Sequence, residues 1–337
     1  MLVPRALRHA ANLLAAITLA TACASASSTP QTASAVANSD APTEGPATPP
    51  AMDSLVTAEW LAEHLDDPDL VVIDCTVVVE PDGEGGMRSR SGAGSFAEGH
   101  IPTAAFADLK GALSDPDSPL DYAVPSPERF ASAMGDLGVG EDTRVVLYDA
   151  NASAWAARVW WMLRWIGFDN AALLDGGVDA WTAAGHSLSA EAALPTPRTL
   201  SVHLRPELIA DRDEVFAAIG SDDVSLIDAM PAPHYRGEMK MYARPGHITS
   251  ASNVPVLALI KENGRFRADG ELAALFDGGR DGRAITYCGG GIAASLNAFA
   301  MTRLGFTDVA VYTASLQEWA ADPTNPMEVA ATPQAPE

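Results

Sequence analysis

The chain has 337 residues, enough for two domains of roughly 150 residues each, and its 47% of hydrophobic residues excludes a wholly disordered protein. Its 44 acidic residues outnumber the 21 basic ones, which gives a formal net charge of −23 at pH 7. Such a surface repels phosphate groups, so neither nucleic acid nor an anionic membrane surface is expected as a partner. The 3 cysteines are too few for a disulfide framework.

Residues 1–22 have the features of a secretory signal peptide. A start that contains Arg5 and Arg8 precedes an apolar run of about ten residues, too short to span a bilayer as a helix. The segment that ends at Cys23 is similar to a bacterial lipobox and predicts lipidation of Cys23, although Ala20 departs from the commonest lipobox. Cleavage at an A-x-A site over residues 24–26 is the alternative. Both interpretations predict export to the cell envelope, with contact to a membrane only through an N-terminal lipid.

Residues 23–53 are almost entirely Ala, Ser, Thr and Pro with a few acids, which predicts a disordered tether. After residue 54 the chain repeats itself. Residues 71–74 recur at 225–228, residues 99–104 at 246–251, and residues 144–148 at 283–287. A period this long indicates two tandem domains. We predict an N-terminal domain over residues 54–190, a linker over 191–205, a C-terminal domain over 206–325 and a tail over 326–337.

Short β-branched runs alternate with helical patterns in each half. In the first half, Leu70–Asp74 and Arg144–Tyr148 are predicted as buried strands, residues 154–166 as a helix, and Leu173 as the start of another strand. In the second half, a strand that ends at Tyr287 precedes a helix over residues 296–303. This alternation predicts an α/β fold with a mostly parallel sheet flanked by helices in each domain. The tryptophans of residues 154–166 are expected to pack in the core and at the domain interface.

The two halves differ at one chemically decisive position. Cys288 follows the strand that ends at Tyr287, whereas Asp149 follows the equivalent strand in the first half. A cysteine at the carboxyl end of a strand, before three glycines and a helix, lies where open α/β sheets bind ligands. The N-terminus of that helix favours a thiolate, so we predict that Cys288 is a nucleophile. Cys75, predicted inside the first strand, is interpreted as structural.

Inward-facing backbone N–H groups of the same loop are predicted to hold an anionic sulfur above the sheet. The predicted loop residues are Gly289, Gly290, Gly291, Ile292 and Ala293.

The chain resembles the two-domain rhodanese family, the thiosulfate and 3-mercaptopyruvate sulfurtransferases, over about residues 55–325. The first half carries the matching motifs at residues 96–102, 125–128, 156–161 and 174–177. The second half carries them at residues 226–229, 235–237, 244–248 and 287–288. The resemblance implies two tandem rhodanese-like domains, of which the N-terminal one is non-catalytic and the C-terminal one is active.

The resemblance also implies covalent catalysis in two steps that needs no metal and no organic cofactor. Cys288 would take sulfur from a small anionic donor as a persulfide and pass it to a thiophilic acceptor such as cyanide, a thiol or a thioredoxin-like protein. Cysteine phosphatases of this fold place an arginine six residues after the nucleophile, and Ala294 stands there instead. The glycines also lack the Lys-Ser/Thr of a nucleotide P-loop, so ATP binding has no support.

The donor is less well defined by the resemblance. Met230 and His234 occupy the places of the arginines that usually hold the anionic end of the donor. We therefore predict that Arg244, Arg236 and His234 bind the donor, with a structural ion pair as the alternative for Arg236. Thiosulfate is the predicted first donor and 3-mercaptopyruvate the second.

Two residues and one alternative function complete the sequence-based interpretation. His100 and His247, in the two Gly-His-Ile motifs, are expected to anchor loops. The alternative to an active enzyme is a sulfur-carrier or anion-binding module with little turnover.

Overall fold

A computed structural model describes residues 52–83, 87–191, 193–276 and 280–329. The predicted signal peptide, Cys23, almost all of the predicted tether and the end of the tail lie outside the described residues. Within these ranges no helix is both long enough and apolar enough to cross a membrane.

The N-terminal half contains a parallel sheet and a separate hairpin. Its strands are β1 (Leu55–Val56), β2 (Leu70–Asp74), β3 (Val77–Pro81), β4 (Met87–Ser91), β5 (Ala105–Phe106), β6 (Arg144–Tyr148) and β7 (Ala171–Leu174). Its helices are α1 (Ala58–His64), α2 (Ala93–Glu98), α3 (Pro127–Asp136), α4 (Ala154–Trp165) and α5 (Gly177–Ala183). The parallel sheet has the order β1-β7-β6-β2-β5, and β3 pairs with β4 in antiparallel fashion.

Successive residues of the central strand β6 pack on opposite faces of this sheet. Val145 and Leu147 belong to the hydrophobic core that contains α4. Val146 and Tyr148 belong to a second cluster, which includes residues of α1 and α5. A strand covered by helices on both faces needs apolar residues at every position, which is why the sequence shows a continuous hydrophobic run here.

The C-terminal half repeats this arrangement. Its strands are β8 (Ile209–Ala210), β9 (Val224–Asp228), β10 (His247–Ile248), β11 (Ser252–Asn253), β12 (Arg283–Tyr287), β13 (Val309–Tyr312) and β14 (Met327–Glu328). Its helices are α6 (Arg212–Ala218), α7 (Ala232–Tyr235), α8 (Asp269–Ala273), α9 (Ile292–Arg303) and α10 (Ser315–Trp319), with 3-10 turns at Pro206–Leu208 and Val256–Leu259. The parallel sheet has the order β11-β9-β12-β13-β8, so β12 takes the central place that β6 has in the first half.

The predicted α/β fold with two parallel sheets is confirmed, and several boundaries differ from the predicted ones. β2 and β6 have the predicted bounds, and α4 ends one residue early, at Trp165. β7 begins at Ala171, before the predicted start. α9 begins at Ile292 because Gly291 adopts a left-handed conformation that caps it.

Two predicted positions were wrong: Cys75 does not lie inside the first strand, and the tail does not begin at residue 326. Cys75 lies just after β2, and its backbone N–H donates a 2.8 Å hydrogen bond to the carbonyl of Tyr148. It is fully buried, and burial raises the pKa of its thiol well above the usual range, as expected for a structural cysteine. The predicted tail begins with β14, which pairs with β10 and is therefore part of the C-terminal domain.

Helices α4 and α9 pack against each other and join the two halves. The rings of Trp160 in α4 and Phe299 in α9 meet edge to face, with centroids 4.9 Å apart. All of the tryptophans of α4 are buried, which confirms their predicted packing role. Each of these helices starts directly after the loop at the carboxyl end of its central strand, so the interface brings the N-terminal half close to the loop that contains Cys288.

The contact between Trp160 and Phe299 is expected to couple the stability of the two halves. Trp160→Ala and Phe299→Ala should each lower the free energy of unfolding by about 3–5 kcal/mol because each leaves a cavity in a close-packed core. In a double-mutant cycle, measured by urea denaturation, the two changes should show a coupling of about 0.5–1.5 kcal/mol.

Trp181→Ala is the matched control, since Trp181 is buried in the cluster on the other face of the N-terminal sheet. Its effect should add to that of Phe299→Ala within about 0.5 kcal/mol. Additivity of the Trp160 and Phe299 changes would show that the two rings do not stabilise the interface together.

Candidate active site

Cys288 is held in a loop between β12 and α9 by hydrogen bonds from the start of α10. The backbone N–H of Cys288 donates to the hydroxyl of Ser315 at 3.1 Å. The N–H of Leu316 donates to the carbonyl of Cys288 at 3.1 Å, and that of Gln317 donates to the carbonyl of Gly289 at 3.0 Å. These contacts fix the backbone of the loop through the N–H of Cys288 and the carbonyls of Cys288 and Gly289.

Each of the three glycines of this loop has its own structural reason. Gly291 has φ +81°, a left-handed conformation that residues with a Cβ rarely adopt. A Cβ on Gly289 would lie 1.6 Å from the hydroxyl oxygen of Tyr242. A Cβ on Gly290 would lie 2.2 Å from the side-chain nitrogen of Gln317. Gly291 is therefore required by its backbone conformation, and Gly289 and Gly290 by the side chains that approach the loop closely.

The predicted cradle of N–H groups is available to an anion. Within the described ranges, no group accepts a hydrogen bond from the backbone N–H of Gly289, Gly290, Gly291, Ile292 or Ala293. The last two lie in the first turn of α9, where backbone N–H groups have no partner inside the helix. The positive end of the helix dipole also lies at this turn.

The equivalent loop of the N-terminal half already encloses an anionic group. One carboxylate oxygen of Asp149 accepts hydrogen bonds from the N–H groups of Asn151 at 2.6 Å and Ser153 at 3.0 Å. The other oxygen accepts from Trp155 and Ala156, both at 2.9 Å. Burial raises the pKa of this carboxyl, and these four hydrogen bonds oppose the rise.

The duplication lets the two loops be compared residue by residue from the helix starts. Counted from Ala154 in α4 and Ile292 in α9, Trp155 corresponds to Ala293 and Ala156 to Ala294. The N–H of Ala294 is therefore a further candidate for holding an anion, one that the predicted loop omits. The N–H of Ala294 could have been identified from the sequence, because the repeat aligns the starts of the two helices.

Cys288 is only 3% exposed, and residues from both halves approach the glycines that follow it. The Tyr242 hydroxyl lies beside Gly289, and burial together with the negative charge of Cys288 raises its pKa. Tyr242 therefore stays protonated and able to donate a hydrogen bond at neutral pH. The side-chain amide of Gln317 accepts from the N–H of Asp121 at 2.9 Å and donates to its carbonyl at 3.2 Å. This pair holds a segment of the N-terminal half against the loop.

The guanidinium of Arg244, predicted to bind the donor, is engaged by backbone carbonyls. It donates to the carbonyls of Ala320 at 3.1 Å, Asn325 at 2.8 Å, Trp319 at 3.0 Å and Asp322 at 2.6 Å. These carbonyls belong to the end of α10 and the segment that follows it. Arg244 is therefore used to fasten that segment, a contact that is distant in sequence and not visible in it.

The other two residues predicted to bind the donor are also placed differently. Arg236 forms a two-pronged ion pair with Glu238, at 2.6 and 2.9 Å, which is the structural alternative considered for it. His234 lies in the last turn of α7, and its Nδ1 is buried with no hydrogen-bond partner in the described part of the chain. The ion pair leaves Arg236 engaged with Glu238, whereas the donor-binding role of His234 stays a prediction.

The two histidines of the Gly-His-Ile motifs anchor loops, as predicted. The ring nitrogens of His100 lie 2.8 and 3.0 Å from the carbonyl oxygens of Phe96 and Glu191. Nδ1 of His247 lies 2.7 Å from the carbonyl oxygen of Tyr235, and the two rings stack.

Three side chains near the loop were not predicted from the sequence. Tyr242 and Gln317 have no distinguishing signal, since only the fold brings them to the glycines. Arg158 lies inside the motif at residues 156–161, which served only to identify the family. No group of three or more His, Cys, Asp or Glu residues able to hold a metal ion is found in the described ranges.

The comparisons with known proteins agree with the fold and with the predicted family. The family model for the rhodanese-like domain matches residues 57–184 and 211–322. A 3-mercaptopyruvate sulfurtransferase from Escherichia coli strain K12 is 35% identical over 280 residues, which cover 81% of this chain and 97% of that protein. The thiosulfate sulfurtransferase of Gallus gallus is 32% identical over 279 residues, which cover 79% of this chain and 93% of that protein.

A solved structure of a 3-mercaptopyruvate sulfotransferase from Escherichia coli superposes with a TM-score of 0.69 at 34% identity, covering 78% of this chain and 99% of that one. The family predicted from the sequence motifs is thereby confirmed. The chain belongs to the rhodanese-like family of sulfurtransferases and carries two tandem rhodanese-like domains.

Proposed function

We propose that the chain moves sulfane sulfur from a small anionic donor to a thiophilic acceptor through a persulfide on Cys288. The observation that carries this proposal is the comparison of the two loops. In the N-terminal half, loop N–H groups bind the carboxylate of Asp149, while in the C-terminal half the corresponding groups have no anion of their own. A negatively charged sulfur on Cys288 would accept the same kind of hydrogen bond from these groups.

The proposed first step transfers one sulfur atom to Cys288. The thiolate attacks the donor sulfur, and a new S–S bond forms. With 3-mercaptopyruvate the C–S bond breaks, its electrons pass to carbon, and the proton of the donor thiol completes pyruvate. With thiosulfate the S–S bond of the donor breaks and sulfite leaves with those electrons. In the second step, cyanide or a thiol attacks the outer sulfur and restores the thiolate.

We propose 3-mercaptopyruvate as the preferred donor, which reverses the preference predicted from the sequence. Relatives that carry this name are 32–35% identical to the chain, and thiosulfate sulfurtransferases, at 30–32%, are nearly as similar. Charge gives a second argument. Arg244 and Arg236 are engaged elsewhere, so neither of them offsets the second negative charge of thiosulfate beside a thiolate. A monoanionic donor meets less repulsion there.

The direct test is thiocyanate formation from cyanide, measured with 3-mercaptopyruvate and with thiosulfate under the same conditions. We expect a higher kcat/KM with 3-mercaptopyruvate and loss of turnover with both donors in Cys288→Ser. Donor alone should increase the protein mass by about 32 Da, one sulfur atom, in the wild type only. Cys75→Ser is the matched control and should keep its turnover, because Cys75 is buried away from the loop.

Full turnover in Cys288→Ser would contradict the proposal. Formation of the persulfide without thiocyanate production would instead favour the sulfur-carrier alternative. That alternative is consistent with the 3% exposure of Cys288, since an acceptor must displace the covering side chains to reach the sulfur.

Gly290→Ala tests whether the shape of the loop is needed for sulfur transfer. Its Cβ would lie 2.2 Å from the Gln317 amide and would push the loop N–H groups away from the sulfur. We expect kcat/KM to fall by roughly 100-fold, the usual scale for losing a donor that stabilises a reacting anion. Gly270→Ala, where the Cβ would meet nothing within 4 Å, should leave kcat/KM unchanged. Equal activity of the two variants would exclude the cradle as the source of stabilisation.

Export, lipidation and the acceptor are further parts of the proposal. The supporting feature is the signal-peptide pattern that ends at Cys23, and a thiol or thioredoxin-like protein of the same compartment is the proposed natural acceptor. Cys23→Ala should move the protein from the membrane fraction to the soluble periplasmic fraction and abolish incorporation of labelled fatty acid. Identical fractionation of the variant and the wild type would rule out a lipid anchor at Cys23.

A further inference from the structure

Arg158 is the side chain that the fold places beside the Cys288 loop and that no other protein group fully satisfies. It lies in α4 of the N-terminal half and is only 1% exposed. One of its terminal nitrogens, Nη2, donates to the carbonyl of Tyr122 at 2.9 Å. Its Nε and Nη1 are buried and have no hydrogen-bond partner in the described part of the chain.

The unpaired end of this guanidinium is directed at the active-site loop. Nη1 lies 3.0 Å from the position that a Cβ on Gly291 would occupy. The face of the guanidinium lies over the ring of Trp161, with 5.1 Å between its central carbon and the ring centroid. The position that corresponds to Arg158 in α9 is Leu296, so only the N-terminal half provides this cation.

The charge of Arg158 requires a partner. Burial lowers the pKa of its guanidinium to about 10, and the negative charge of Cys288 opposes the decrease. Arg158 therefore remains protonated at neutral pH, and no carboxylate forms an ion pair with it among the described residues. Burying a cation with two unpaired donors is unfavourable unless an anion completes the site.

Three other basic residues, Arg244, Arg236 and Lys110, are already paired. Arg244 donates to four backbone carbonyls, and Arg236 binds Glu238. Lys110 lies 3.3 Å from the carboxylate of Asp121. Arg158 therefore stands out as a buried cation with free donors beside the nucleophile.

We propose that Arg158 is the cation of the active site: the N-terminal domain supplies it to pair with the anionic sulfur on Cys288 and to bind the anionic end of the donor. The N-terminal domain, which lacks a nucleophile of its own, is then a functional part of the site. This explains how a chain of net charge −23 admits an anionic substrate: one cation is held at the point of reaction and shielded from the acidic surface.

The test compares two alkylating reagents of different charge. Iodoacetate is anionic and iodoacetamide is neutral, and both react with the thiolate of Cys288. In Arg158→Gln, the ratio of the iodoacetate rate to the iodoacetamide rate should fall about tenfold, because the anion loses its partner. Arg158→Lys should keep most of the ratio, since it keeps the charge. Arg164→Gln, in the same helix with an ion pair to Asp169, is the control and should not change the ratio.

Steady-state kinetics with 3-mercaptopyruvate supply the second measurement. We expect Arg158→Gln to raise KM and to lower kcat, with a fall of roughly 100-fold in kcat/KM, and Arg158→Lys to recover part of the loss. An unchanged reagent ratio in folded Arg158→Gln, even with a lower melting temperature, would overturn the proposal and leave Arg158 a purely structural role. If Arg158→Gln does not fold, a lost reagent ratio in Arg158→Lys would overturn it equally.

Of the two measurements, only the kinetic one rests on the proposed function. The alkylation ratio needs no sulfur transfer. A wild type without thiocyanate production whose ratio still depends on Arg158 would refute the proposed turnover while supporting the charge assignment. Turnover that is normal in Arg158→Gln would refute the charge assignment alone.

Discussion

Backbone N–H groups at the start of a helix need acceptors from outside the helix, and much of this molecule can be understood from that requirement. The carboxyl end of a central parallel strand and the start of the next helix bring several such N–H groups together twice in this chain. In the N-terminal half, the carboxylate of Asp149 meets the requirement permanently. In the C-terminal half, Cys288 can meet it only as a charged sulfur species. The loop around Asp149 therefore shows how the loop around Cys288 would bind an anionic group.

The two loops also show how one fold separates stability from reactivity. A fixed carboxylate holds its loop in one arrangement, which is suitable for a domain without a nucleophile of its own. The proposed persulfide cycle on Cys288 would instead require a loop that can bind different anionic states in turn. The close approach of Tyr242 and Gln317 to Gly289 and Gly290 restricts the space around that sulfur, so selectivity depends on side chains that lie outside the loop.

The packing of α4 on α9 gives the two domains a single active site. Trp160 and Phe299 hold the helices together, and Arg158, two residues before Trp160, lies in the same interface beside Gly291. The pairing of Gln317 with Asp121 adds a second connection close to the nucleophile. Loss of the interface would therefore remove both the cover of the site and the cation proposed for it, while leaving the C-terminal sheet intact.

The sequence by itself determined the duplication, the α/β class, the position of Cys288 and the contrast with Asp149. These features depend on local patterns: continuous apolar runs for buried strands, helical spacing of large side chains, and glycines after a strand. The same patterns predicted that the α4 tryptophans and the Gly-His-Ile histidines have packing and anchoring roles.

Only the tertiary structure decided which charged side chains remain available to the site. Arg244 looked suitable because it lies near the predicted donor-binding segment, yet the chain after α10 returns to occupy its guanidinium. Arg158 looked like a motif residue, yet the interface leaves two of its nitrogens free beside the loop. The availability of a charged group depends on which partners the whole fold brings within hydrogen-bonding distance, and those partners are far apart in the sequence.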